Sequence, residues 1–176
     1  MKYVFVFLLV AMMISCGDDA SGDASRDAIG DAKNDKKTET AKQPNCDEIE
    51  GLQIEDYDLV PEDYTGIVFR CQEGKVKELI YFKEGKEDGL ARIWNLNGQL
   101  MGEGNYKDGK QDGLSRSWHW NGQLQSEWNL KDGKADGLSK VWNENGHLEQ
   151  ELNYLDGIVI NGKCWDEDGN KIECPE

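Results

Sequence analysis

Apolar and polar residues are laid out in three regimes along this chain. An unbroken apolar run from Val4 to Ile14 opens it. Residues 17–45 then hold Asp, Ala, Ser, Gly, Lys and Thr, with Ile29 the one large apolar side chain. From about Tyr64 onward, short segments alternate apolar and polar positions with a period of two. Segments that short are β-strands rather than helices. The alternation is itself periodic. At a spacing of 24 residues the chain reads FKEGKEDGLARIWNLNGQLMGEGN from Phe82, YKDGKQDGLSRSWHWNGQLQSEWN from Tyr106 and LKDGKADGLSKVWNENGHLEQELN from Leu130. A fixed period of this length marks an array of one repeated supersecondary unit.

Each unit is punctuated at Asp-Gly-Lys-x-Asp-Gly, with Glu84 in place of the first Asp in the unit from Phe82, and again at Asn-Gly, where Asp, Asn and Gly tolerate the positive φ of tight hairpin turns. The unit is therefore a β-hairpin. Degenerate copies flank the clean ones: YTGIVFRCQEGKVKELIY upstream and YLDGIVINGKCWDEDGNKI, with Trp165 and Gly169, downstream. Atypical end repeats fit caps. The predicted fold is all-β, tandem antiparallel hairpins forming one elongated sheet. The predicted organisation is a leader over 1–15, Cys16 and a disordered acidic linker over 16–45, an N-terminal cap and degenerate repeat over 46–81, three clean repeats over 82–153, and a C-terminal repeat and cap over 154–176. Alternation places Leu114, Arg116 and Trp118 with Leu124, Ser126, Trp128 and Leu130 on a packed face. It leaves Glu103, Glu127 and Glu151 as an acidic ladder on a wet one.

Eleven apolar residues fall short of the ~20 a spanning helix needs, so Val4–Ile14 is read as the core of a signal peptide. Its end, Ile14-Ser15-Cys16, resembles the lipobox of bacterial lipoproteins, with Met13 where Leu is commonest. The resemblance implies cleavage after Ser15 and a lipid on Cys16. It places the protein at the outer membrane or cell envelope, with surface display and a periplasm-facing anchor both open. Residues 17–45 cannot bury enough apolar surface to offset the entropy of ordering them, which makes them a tether.

The repeat GK-x-DG-L-x-[RK]-x-W-x-x-NG-x-L resembles the MORN-variant repeat of bacteria, the unit of the YwqK-type antitoxin family. That resemblance spans about residues 64–173. It implies hairpins laid end to end and a non-catalytic, protein-binding role. An exported, lipidated chain does not suit an antitoxin for a cytoplasmic toxin, so the fold is taken from the resemblance and the antitoxin label discounted.

Charge narrows the partners. The chain has 35 Asp+Glu against 20 Lys+Arg, a net charge of −15, which argues against nucleic acid and for a neutral or basic protein. Seven acids against five bases leave the tether nearly balanced, so the acid excess sits on the array.

Four cysteines follow Cys16. An even number in an exported domain suggests disulfides. Of the three connectivities, Cys46 with Cys71 and Cys164 with Cys174 is favoured, since each pair closes one end of the array. No C-x-x-C is present and His119 and His147 lie mid-array, so no metal is expected. The run Asp166–Asn170 falls where the other units place Asn-Gly, and reads as a turn rather than a calcium loop. No nucleophile, carboxylate pair or phosphate loop stands out from the repeat, so neither enzyme activity nor a cofactor is expected. The candidates for partner contact are Trp94, Trp118 and Trp142 with Arg92 and Arg116 alongside, and above all Trp120 and Trp128, which occur in one unit only. The sequence thus points to an envelope lipoprotein acting as a protein-binding scaffold. A glycan-binding module using the Trp ladder, or an immunity protein neutralising a toxin, are the alternatives.

Overall fold

The computed structural model describes residues 41–174. The leader, Cys16 and the tether as far as residue 40 lie outside the described residues. The strands are β1 (Leu52–Gln53), β2 (Gly66–Gln72), β3 (Lys75–Lys83), β4 (Lys86–Trp94), β5 (Leu100–Lys107), β6 (Lys110–Trp118), β7 (Leu124–Lys131), β8 (Lys134–Ala135), β9 (Gly137–Trp142), β10 (Leu148–Leu155), β11 (Ile158–Trp165) and β12 (Lys171–Ile172). All twelve belong to one sheet whose order follows the chain, with β8 set beside β7. Every pairing from β2 onward is antiparallel, and β1 joins β2 in parallel.

The two punctuation signals build different things. At the first Asp-Gly, Asp108 (φ 51°) and Gly109 (φ 82°) are both left-handed between the paired residues Lys107 and Lys110. Positive φ at both central positions defines the two-residue turn whose twist matches that of the flanking strands. Asn-Gly closes a longer loop. The Asn95 amide donates to the Gln99 carbonyl at 3.0 Å, while its Oδ1 accepts from the amides of Asn97 (2.9 Å) and Gln99 (3.1 Å). Asn143 repeats this with Asn145 and His147. Asp166 accepts from the Asn170 amide in the corresponding loop, which makes Asp166–Asn170 a turn, as expected.

The second Asp-Gly of each unit is not part of a turn. Gly104 pairs with Ser115 and Tyr106 with Gln111, so Asp112, Gly113 and Leu114 stand opposite Asn105 alone. Gly113, at φ 109°, is the pivot of this bulge.

A further bulge corrects the expected faces. After the Asn-Gly loop Trp118 pairs with Leu124, but Ser117 pairs with Ser126, leaving Gln125 unmatched. Met101 and Glu149 are skipped in the same way. Side chains alternate, so one extra residue flips everything beyond it. Arg116 therefore pairs with Glu127 and Trp128 with Ser115, the reverse of the simple alternation.

The core lies at the N-terminal end. Phe69, Val76, Leu79, Trp94, Leu100 and Trp118 form one buried cluster. On it lie Ala41, Cys46 and Ile49, from the segment that precedes the array. The Trp94 indole donates to the Ala41 carbonyl (3.0 Å), Gln43 Nε2 to the Val76 carbonyl (3.0 Å), and the Val76 amide to the Pro44 carbonyl (3.1 Å). Residues 41–45, expected at the end of the disordered linker, are thus docked on the sheet, because they satisfy polar groups that a lone sheet would leave open. On the opposite side Tyr57 stacks on Phe82 with ring centroids 6.4 Å apart, and Ile54, Val68, Ile80 and Ala91 are buried.

Gly113→Val tests the bulge. A Cβ there would meet Asn105 Cβ at 3.5 Å, an ordinary contact, so the cost comes from the backbone conformation. A β-branched residue held at that φ should lower stability by about 1–3 kcal/mol. The melting temperature measures this, and an unchanged value would contradict the assignment.

Candidate interaction surface

The register assembles a row of charge across seven strands. Arg92, Glu103, Arg116, Glu127, Lys140, Glu151 and Lys163 are successive cross-strand partners from β4 to β11. Arg92 Nε lies 3.3 Å from Glu103, and Arg116 reaches Glu103 at 3.6 Å and Glu127 at 2.9 Å. Glu151 sits between Lys140 at 3.3 Å and Lys163 at 3.2 Å. Hydrogen bonds from Lys163 and Lys140 hold its carboxyl below the usual carboxylate range. The expected acidic ladder is therefore a neutralised one, and the bases expected beside an aromatic platform are committed to it. Opposite charges facing each other across strands contribute roughly 0.2–1 kcal/mol per pair and penalise a slipped register. Arg92 and Arg116 thus serve the array before they serve a partner.

The tryptophans do not form one platform. Trp94 and Trp118 are each 3 % exposed and belong to the core. Trp142 and Trp165 are half-buried. Trp128, also half-buried, lies on the other face, tilted against Tyr154 with centroids 5.4 Å apart. Trp120 differs from all of these: at the tip of its Asn-Gly loop it is 73 % exposed.

These loop tips form a bonded row. Gln99 Nε2 donates to the His119 carbonyl at 2.7 Å, Asn121 Nδ2 to the Glu144 carbonyl at 2.6 Å, and His119 Nε2 meets the Trp142 carbonyl at 2.8 Å. Each loop is thereby tied to the next. On this row Leu96, 61 % exposed, occupies in the preceding unit the position of Trp120. Sequence reasoning passed over Leu96, although its spacing of one full repeat from Trp120 was the available signal. An aromatic and an aliphatic side chain are thus held outward at equivalent positions of successive units, on loops bonded to neighbouring carbonyls.

Other polar clusters serve the fold. Glu78, 4 % exposed, pairs with Arg70 at 3.5 Å. Burial pushes its carboxyl up, while Tyr57 and Arg70 offset part of the effect. Arg70 also lies 6.0 Å from the centre of the Tyr57 ring, which fixes the Tyr57–Leu59 turn to the sheet. Cys46 pairs with Cys71 and Cys164 with Cys174, closing the two ends as expected. Among the described residues no group of His, Cys, Asp and Glu is placed to hold a metal ion.

Three tandem stretches, residues 87–108, 111–132 and 135–156, match the family model described as the MORN repeat variant. Each begins just after the Lys that follows a two-residue turn and runs through one Asn-Gly hairpin into the next such turn, so the matched unit and the structural unit coincide. No curated protein matches the chain. The MORN repeat is a non-catalytic module generally associated with scaffolds that bind proteins or membranes.

Proposed function

We propose that this chain is a non-enzymatic, lipid-anchored lipoprotein of the cell envelope, at the outer membrane, whose repeat array presents a rigid edge to a protein partner. The observation that carries the reading is the exposed Trp120 beside Leu96 on the bonded row of loop tips. Large apolar groups held rigidly in solvent have little to do for the fold and are the type of anchor that dominates protein interfaces. The charged face contributes less, since its bases are already paired. A neutral or basic partner suits a chain of net charge −15.

The anchor rests on Cys16 and its lipobox-like setting. The resemblance to YwqK-type repeat proteins supports a binding role. An immunity protein would use the same edge against a toxin, and the partner's identity separates the two. A glycan platform is weaker, because Trp94 and Trp118 lie in the core and Trp120 is the one exposed ring among the tryptophans.

Two experiments test the proposal. Affinity purification of the full chain from solubilised membranes should recover a partner that Trp120→Ala loses by about tenfold or more, the scale of an interface hot spot. The variant's melting temperature should be unchanged, and retention of the partner would contradict the site. Metabolic labelling with palmitate should mark the native chain and not Cys16→Ala, and label persisting in the variant would remove the anchor.

A further inference from the structure

Strand β11 departs from the rule that builds the array. Each two-residue turn docks backward on the unit before it. The amides of Gly109, Gly133 and Gly157 donate to the carbonyls of Glu87, Gln111 and Ala135 at 2.8–2.9 Å, and those of Asp108, Asp132 and Asp156 approach the carboxylates of Asp88, Asp112 and Asp136 at 3.3–3.4 Å. One period on, the receiving positions are Val159 and Ile160. The Lys-x-Asp of the clean units has become Ile158-Val159-Ile160, and among the described residues no further unit docks there. Among the described residues β12 covers the outer side of β11 at Cys164 and Trp165 only, so Ile158–Lys163 is an open sheet edge. Its apolar side chains are 69 % (Ile158), 48 % (Val159) and 57 % (Ile160) exposed, with Leu155 beside them at 56 %.

Edges left to solvent are normally blunted by charge, proline, shortness or a bulge; β11 carries a bulge at Ile160, which has no partner on β10, but no charge and no proline over Ile158–Gly162. Here the Lys and Asp of the clean units, and the residue between them, are replaced by three β-branched ones, the composition that favours strand pairing. We propose that this edge pairs with the same edge of a second copy of the chain, antiparallel about a two-fold axis, extending one sheet through two molecules.

Charge selects that occupant. Two copies carrying −15 each repel wherever their acids face one another, and Ile158–Lys163 contains no acid. Its single charge, Lys163, is tied to Glu151 within its own chain. A basic partner drawn by the acidic surface would gain nothing from this strip, whereas an isologous contact needs a patch that does not repel itself. The inference is independent of the Trp120 contact, which lies at the loop tips.

A photo-crosslinking residue at position 159 of the full chain, in cells producing copies with two different tags, tests it. The expected product has twice the chain's mass and contains both tags. Ile160→Glu in the same chain should reduce it at least tenfold, because each copy would then bring a carboxylate into the apolar paired strip. Position 59, where Leu59 is 67 % exposed near the other end, should give no such product. Non-reducing electrophoresis should show the Cys164–Cys174 bond intact in the variant, so that loss of folding is not mistaken for loss of pairing. Crosslinking to a different protein, to lipid or within one chain, the absence of any product, equal yield from position 59, or a yield that Ile160→Glu leaves unchanged would each overturn the proposal.

Discussion

The structure depends on one small contact made four times, the seating of a turn glycine amide on a carbonyl of the preceding unit. Gly109, Gly133 and Gly157 donate in this way, and Gly85 does so to the Tyr64 carbonyl of the degenerate first repeat. The contact is available because Asp-Gly places two consecutive residues at positive φ, aiming the turn's amides back along the array. A hairpin alone is marginal in water. Hairpins that hydrogen-bond along their strands and also lock their turns together share stability with their neighbours, as expected of a quasi-one-dimensional array.

Among the described residues no second layer covers the sheet, and this explains where the stabilising groups lie. The segments around Ala41–Ile49 and Ile54–Leu59 cover opposite sides of the first strands, and nearly all the buried apolar side chains gather there. Farther along, the paired charges from Arg92 to Lys163 keep the strands in register on a surface that has little to bury. With those charges mutually satisfied, exposed apolar groups stand at the loop tips, at Leu96 and Trp120, on the last long strand, Ile158–Ile160, and at Leu59 in the segment before the array. The partner contact and the self-association proposed above would thus use separate edges of one sheet.

Much of this was legible in the sequence because it is local. Asp-Gly and Asn-Gly announce turns whatever surrounds them, the 24-residue period announces the array, and cysteines near the two ends of a linear array have few partners to choose from. The faces were not legible, because the unmatched Gln125 leaves no mark in the alternation of QLQSEWNL, yet it moves Trp128 away from Arg116 and brings Glu127 to it. The docking of residues 41–45 was hidden for a different reason. Alanine, lysine, glutamine, proline and asparagine read as linker, and what orders them is the set of polar groups on Val76 and Trp94 that they meet, a tertiary fact that composition does not carry. Trp120 stood out by occurring once, and the alternation already put Trp118 on the packed face; what composition concealed is the clamp whose Ala41 carbonyl takes the Trp94 indole N–H.

Amide hydrogen exchange tests the central contact most directly, because it reads the proton in question. Turn amides open to water exchange quickly, whereas those bonded within a cooperative unit exchange only when that unit opens. The amides of Gly109, Gly133 and Gly157 should be protected to nearly the same degree as the β5, β7 and β10 strands that precede them. Exchange at the rate of an unstructured chain at these three positions, with the strands still protected, would show that the units do not lock through their turns and would contradict the account.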